Sequence, residues 1–182
     1  MNPSPKPHPL GNLLRTLDLA VLNRVFQPCA NHLPVGLSSW ALGNSLVLGS
    51  IVFEAAAVVM PMVLYGATWG ESLSNCLLLL SAVLVYVAFQ RLGALVRPGM
   101  ANPLQFMLWG LRVCFGLISL GNMVALLWHP PSPSMWVWDW LYEISLMVFV
   151  AGIYFMSCQP RSPSQRKAPQ GRFKAQPSQT GL

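Results

Sequence analysis

Charged residues are scarce in this chain. Only 9% of its 182 residues are Asp, Glu, Lys or Arg, whereas a soluble domain of this length would carry roughly 45 of them. This deficit excludes a conventional water-soluble globule. Because 54% of the residues are hydrophobic, the composition also excludes a disordered chain, which requires low hydrophobicity and high charge. We therefore expect an all-α integral membrane protein.

Motifs of catalysis and cofactor binding are also missing from the sequence. It contains no HExxH, Walker A, GxSxG or dinucleotide-binding glycine motif, and no hydrophilic segment long enough to fold into a catalytic domain. The histidines, His8, His32 and His129, fall in predicted loops or linkers, which argues against membrane haem. The four cysteines stand singly and predict neither a disulfide framework nor a metal site. We expect no enzymatic activity and no cofactor.

Four long apolar segments make up most of the chain. As a helix rising about 1.5 Å per residue, each can cross a hydrocarbon core roughly 30 Å thick. Tryptophan and tyrosine lie near most segment ends, as in the aromatic belts of membrane proteins. We predict a four-helix membrane domain over residues 37–158, with spans at about 37–65, 73–96, 104–128 and 136–158.

The N-terminal segment, residues 1–36, contains a predicted amphipathic helix over residues 10–26. Its apolar face holds Leu10, Leu13, Leu14, Leu17, Ala20, Val21 and Val25. Because the same segment carries Arg15, Asp18 and Arg24, crossing the hydrocarbon would be costly, and a position in the membrane interface is favoured. The alternative is a cytoplasmic helix that packs on the bundle.

Basic residues mark one side of the predicted membrane domain. They occur before the first span, between the second and third spans and in residues 159–182, whereas the other two loops contain none. This bias predicts that both termini and the middle loop are cytoplasmic, and we expect a bacterial inner (plasma) membrane. Residues 159–182 are rich in Pro, Ser and Gln, so we predict a disordered tail that contacts anionic lipid rather than a specific nucleic acid.

Three charged residues within the spans form the candidate polar site: Glu54, Arg112 and Glu143. A charge at mid-bilayer costs at least about 2.5 kcal/mol, so each residue needs a partner, water or neutralisation. Arg112 is predicted close to the cytoplasmic boundary, where its side chain can extend to the surface. Glu54 lies near the middle of its span, and it is a protonated hydrogen-bond donor between helices, an ion site or a contact to another subunit.

Two weaker patterns concern helix packing and ligand binding. Small residues in the first and third spans, such as Gly49 and Gly116, predict that these two helices form the tightest seam of the bundle. At the outer end of the fourth span, Asp139 and Glu143 are spaced one helical turn apart beside three tryptophans. That pair is either a site for an external cation or basic ligand, or two solvated interface carboxylates.

The sequence favours a non-catalytic role in the membrane. With short external loops and no catalytic motif, we expect a subunit or accessory of a larger membrane assembly, for example a secretion, transfer or transport complex. Its partners would be the lipid bilayer and other membrane subunits. The alternative is a small proton- or cation-coupled transporter or channel that uses Glu54.

Overall fold

Helices form all the regular structure of the residues that the computed structural model describes, which are 9–34, 36–66, 68–97, 99–129 and 136–160. Four of these helices are long and apolar enough to span a membrane. They are α3 (Ser39–Tyr65), α4 (Trp69–Leu92), α6 (Trp109–Trp128) and α7 (Trp136–Ser157). The prediction of an all-α fold with four such helices is confirmed. Most of the predicted tail lies outside the described residues.

Capping and turn residues set the ends of the long helices. Helix α3 begins where the Ser38 side chain accepts a hydrogen bond from the Ala41 backbone N–H, and it ends at Gly66, whose φ of 67° suits glycine. The predicted span 104–128 is divided into α5 (Leu104–Met107) and α6, because Leu108 leaves helical geometry.

The N-terminal helix is longer than predicted. Helix α1 (Pro9–Val21) continues through a π-helical turn (Leu22–Phe26) into α2 (Gln27–Asn31). The sequence predicts an end at Phe26 because Pro28 follows. The wide turn instead bonds the Gln27 N–H to the Leu22 carbonyl and places Pro28 in the first turn of α2. A proline there lacks only an N–H that the helix does not need.

Helices α3 and α7 form the closest pair in the fold. A Cβ on Gly43 would lie 2.6 Å from the Gly152 carbonyl oxygen, and a Cβ on Gly152 would lie 2.7 Å from the Val47 side chain, so glycine is required on both helices. The predicted seam between the first and third spans is therefore wrong. The glycines of α6 meet open space at the positions Gly110, Gly116 and Gly121.

Helix α7 is the centre of the bundle. Helix α4 packs on α3, α6 packs on α7, and the N-terminal helix contacts the start of α6 and the end of α7. The main core joins residues of α3, α4, α5 and α7 and the turn before α6: Val47, Phe89, Leu104, Leu108, Ile153 and Met156. Large apolar side chains remain exposed on the outer faces of the long helices.

Candidate functional site

The three predicted site residues lie in two separate places. Arg112, in the first turn of α6, contacts the N-terminal helix and the last turn of α7. Glu54 and Glu143 lie further towards the other end of α7, and each lines a cavity that Tyr142 also lines. The structure thus brings the two glutamates near one tyrosine and keeps Arg112 apart from them.

Arg112 is completely buried and binds Asp18 through two parallel hydrogen bonds. Its Nε donates to Asp18 Oδ1 over 2.9 Å, and its Nη2 donates to Oδ2 over 2.6 Å. Its Nη1 donates to the Ser157 hydroxyl over 2.7 Å, and Nη2 also donates to the Gln105 carbonyl over 2.9 Å. The Tyr154 ring lies 5.5 Å from the guanidinium carbon. This bidentate geometry satisfies the cation within the chain.

Arg112 therefore does not extend to the surface as the sequence predicts. Its partner Asp18 is 94 positions away in the sequence, and the Asp18 side chain is 1% exposed. Sequence reasoning missed Asp18 because the residue sits in a segment that looks purely amphipathic. One signal was available in the sequence: Asp18 is the only acidic residue before Glu54.

A second buried polar cluster closes the same end of the bundle. Asn102 donates through its side-chain amide to the Met156 and Cys158 carbonyls, both over 2.8 Å, and accepts from the Leu104 N–H. The Gln159 side chain accepts from the Asn102 N–H. These bonds satisfy carbonyls that the end of α7 leaves free. Just beyond α7, burial raises the pKa of the Cys158 thiol to about 12.

Glu54 faces a cavity between α3, α4 and α7. The cavity has a volume of about 130 Å³. Its polar lining comprises Ser50, Glu54, Ser81, Tyr142 and Ser145. Glu54 is partly buried, and within the described part of the chain its carboxylate forms no hydrogen bond to another helix. The residue is therefore placed beside a small polar space rather than in a helix-to-helix hydrogen bond.

Glu143 is buried between α6 and α7, with 1% of its surface exposed. Its Oε1 accepts a 2.6 Å hydrogen bond from the Ser119 hydroxyl. Its Oε2 is buried and has no hydrogen-bond partner among the described residues. Glu143 lines a cavity of about 370 Å³ with Asp139 and His129. A buried carboxylate oxygen without a partner is energetically costly, and a bound ligand could compensate that cost.

Among the described ranges, no three His, Cys, Asp or Glu side chains are grouped closely enough to hold a metal ion. The polar groups that bear on function include a closed ion pair and the Asn102 cluster at one end and two cavity-lining glutamates towards the other. Comparison with family models, curated proteins and solved structures finds no match. The function must therefore be argued from the chain's own residues.

Proposed function

We propose that the chain is a multi-pass membrane protein whose N-terminal helix lies in the membrane interface. Support comes from which residues of α1 face the bundle and which face outwards. Its buried face includes the charged Asp18, while five apolar residues of this helix and the π-helical turn after it are exposed; Leu14, Leu19 and Ala20 are half-buried. A helix at the surface of a water-soluble protein has the opposite arrangement. The outward-facing apolar residues are Leu10, Leu13, Leu17, Val21 and Val25.

In the proposed orientation the chain spans a bacterial inner membrane with both termini on the cytoplasmic side. Gln159, just before the basic tail, contacts the N-terminal segment and the loop between α4 and α5 at one end of the bundle. The Gln159 N–H donates to Gln27 Oε1 over 2.8 Å, and its side chain accepts from the Asn102 N–H over 2.9 Å. Arg15 lies over the Phe106 ring at 5.8 Å. Grouping these segments on one side is the arrangement that the positive-inside rule favours.

Within the membrane, the proposed role is that of a non-catalytic subunit or accessory of a larger assembly. The observation that carries it is the small-residue face of α6. Gly110, Cys114, Gly121 and Ala125 are exposed and recur at a spacing of about one or two helical turns. A Cβ on either glycine would meet nothing within 4 Å. Small residues on membrane helices allow a second helix to approach closely.

Blue-native electrophoresis of the tagged full-length chain, extracted from its native membrane in mild detergent, tests the assembly. We expect a discrete complex larger than the monomer. Gly121→Leu should deplete it because a bulky side chain blocks the small-residue face. Ala88→Leu is the matched control, since Ala88 is exposed on α4. A lone monomer, or equal complex yield from both variants, would refute the proposal.

A second candidate function is proton- or cation-coupled transport, because Glu54 lines a polar cavity and no described residue forms a hydrogen bond with its carboxylate. The purified chain in proteoliposomes, with a proton or cation gradient imposed, provides the test. Transport predicts a flux that Glu54→Gln abolishes and that Ser74→Ala, an exposed change on α4, preserves. Absence of flux in the unmodified chain, or the same flux in Glu54→Gln, would remove this candidate.

A further inference from the structure

We propose that the cavity between the end of α6 and the start of α7 binds a small organic ammonium cation. Its volume of about 370 Å³ lies in the range of small-molecule sites. It is at the end of the bundle away from the Arg112–Asp18 ion pair. This proposal concerns a ligand and depends neither on the proposed assembly nor on flux through the Glu54 cavity.

Two carboxylates give the cavity an acidic lining. Asp139 and Glu143 are one turn apart on α7, and no lysine or arginine joins them in the described lining. Ser119 occupies only one of the Glu143 oxygens, and Oε2 has no hydrogen-bond partner among the described residues although Glu143 is almost completely buried. A bound cation would compensate that buried oxygen electrostatically. An anion would be repelled, and a neutral apolar ligand would leave the oxygen uncompensated.

Aromatic rings in the same lining favour an organic cation over an inorganic ion. Trp138 and Tyr142 are also one turn apart on α7, and their rings stack with centroids 5.7 Å apart and planes 12° apart. The faces of such rings attract alkylated ammonium groups, and carboxylates beside them complete the usual recognition chemistry. A metal ion would need a closer set of ligands than the described residues provide.

The remaining polar residues of the lining suit the same ligand class. Asn122 and His129 reach the cavity from α6 and the residue that follows it. An amide oxygen and a neutral imidazole nitrogen can both accept a hydrogen bond from an N–H of an ammonium group. Leu126, an apolar residue of the wall, can contact the hydrocarbon portion of the ligand.

Calorimetric titration of the purified full-length chain in detergent with tetramethylammonium chloride tests the site, with sodium chloride at equal ionic strength as the reference. We expect saturable binding of tetramethylammonium and none of sodium. Trp138→Leu should weaken the affinity by about threefold or more, because the cation–π contact with the indole ring is lost. Trp136→Leu is the matched control, since Trp136 is exposed and does not line the cavity.

The acidic lining is tested by Glu143→Gln, which keeps the shape of the side chain and removes its charge. We expect at least a tenfold loss of affinity, with thermal unfolding of each variant as the check on folding. If Glu143→Gln does not fold, the partly exposed Asp139→Asn supplies the same test of charge. Binding that is absent, equal for sodium, or unchanged in the Trp138 and carboxylate variants would overturn the proposal.

Discussion

At the scale of single residues, the Arg112–Asp18 pair fixes the N-terminal helix to the bundle. Both side chains are withdrawn from solvent, and the bidentate contact is supplemented by the Ser157 hydroxyl and a carbonyl oxygen. A buried ion pair of this kind stabilises a fold little more than well-packed apolar residues would. Removing one partner alone, however, strongly destabilises the fold, because the other charge stays buried without compensation. The pair therefore specifies where the helix docks more than it strengthens the fold.

Asp18→Ala should destabilise the chain by about 3–5 kcal/mol because it leaves the Arg112 cation buried without its counter-charge. Unfolding of the detergent-solubilised chain by a denaturant is the measurement. Arg24→Gln is the matched control, since Arg24 is exposed, and we expect a change within about 0.5 kcal/mol. The double variant Asp18→Leu with Arg112→Leu should recover much of the loss. A destabilisation by Asp18→Ala no larger than the control would contradict this account.

Cys158 should resist thiol reagents. With the pKa of its thiol raised to about 12, almost none of the reactive thiolate is present at pH 8. In variants that keep one cysteine each, maleimide should modify Cys158 at least about tenfold more slowly than the exposed Cys29. Detergent denaturation should bring the two rates together. Equal rates in the folded chain would show that Cys158 is accessible.

At the scale of helices, the contact between α3 and α7 depends on glycine meeting glycine. Gly43→Ala should destabilise the chain by about 1–3 kcal/mol, because its Cβ would collide with the backbone of Gly152. Gly49→Ala in the same helix is the matched control, since its Cβ would lie 3.9 Å from the Val148 side chain. Thermal unfolding in detergent measures both. Equal melting temperatures for the two variants would argue against the tight seam.

Helix positions were predictable from the sequence, but their pairing was not. Long apolar runs specify a span on their own, and so α7 begins and ends within one residue of its predicted bounds. Pairing depends on which small residues face each other across helices distant in sequence. Helix α6 contains more glycines than α7, yet the single Gly152 is the one that lies opposite Gly43. The Asp18 partner of Arg112 was missed for the same reason, because no local pattern encodes a contact 94 residues away.

At the scale of the whole molecule, the sorting of charges along the bundle predicts its orientation. Exposed arginines, such as Arg24 and Arg97, flank the end that holds the buried ion pair. The cavity with two carboxylates is at the other end of α7. The few exposed basic residues described in the structure are therefore concentrated at one end of the bundle, which is the distribution that the positive-inside rule associates with a cytoplasmic face.

Reporter fusions test this orientation directly. Alkaline phosphatase is active only outside the bacterial cytoplasm, whereas green fluorescent protein fluoresces when it folds inside. For reporters fused after Leu182 we expect bright fluorescence and little phosphatase activity, because basic segments favour a cytoplasmic position for that terminus. A sandwich fusion after Ser132 should give the reverse result and serves as the matched control. High phosphatase activity at Leu182 would overturn the proposed topology.

The outward-facing apolar stripe of α1 and the buried Asp18 together determine how that helix is rotated about its own axis. Each residue of a helix turns it by about 100°. One residue inserted between Leu17 and Asp18 would thus force a choice between keeping the ion pair and keeping the stripe on the outward face of the helix. This short segment should accept many apolar exchanges at Leu10 or Leu13 and yet reject a single insertion. Its length, more than its composition, is the property that selection would have to preserve.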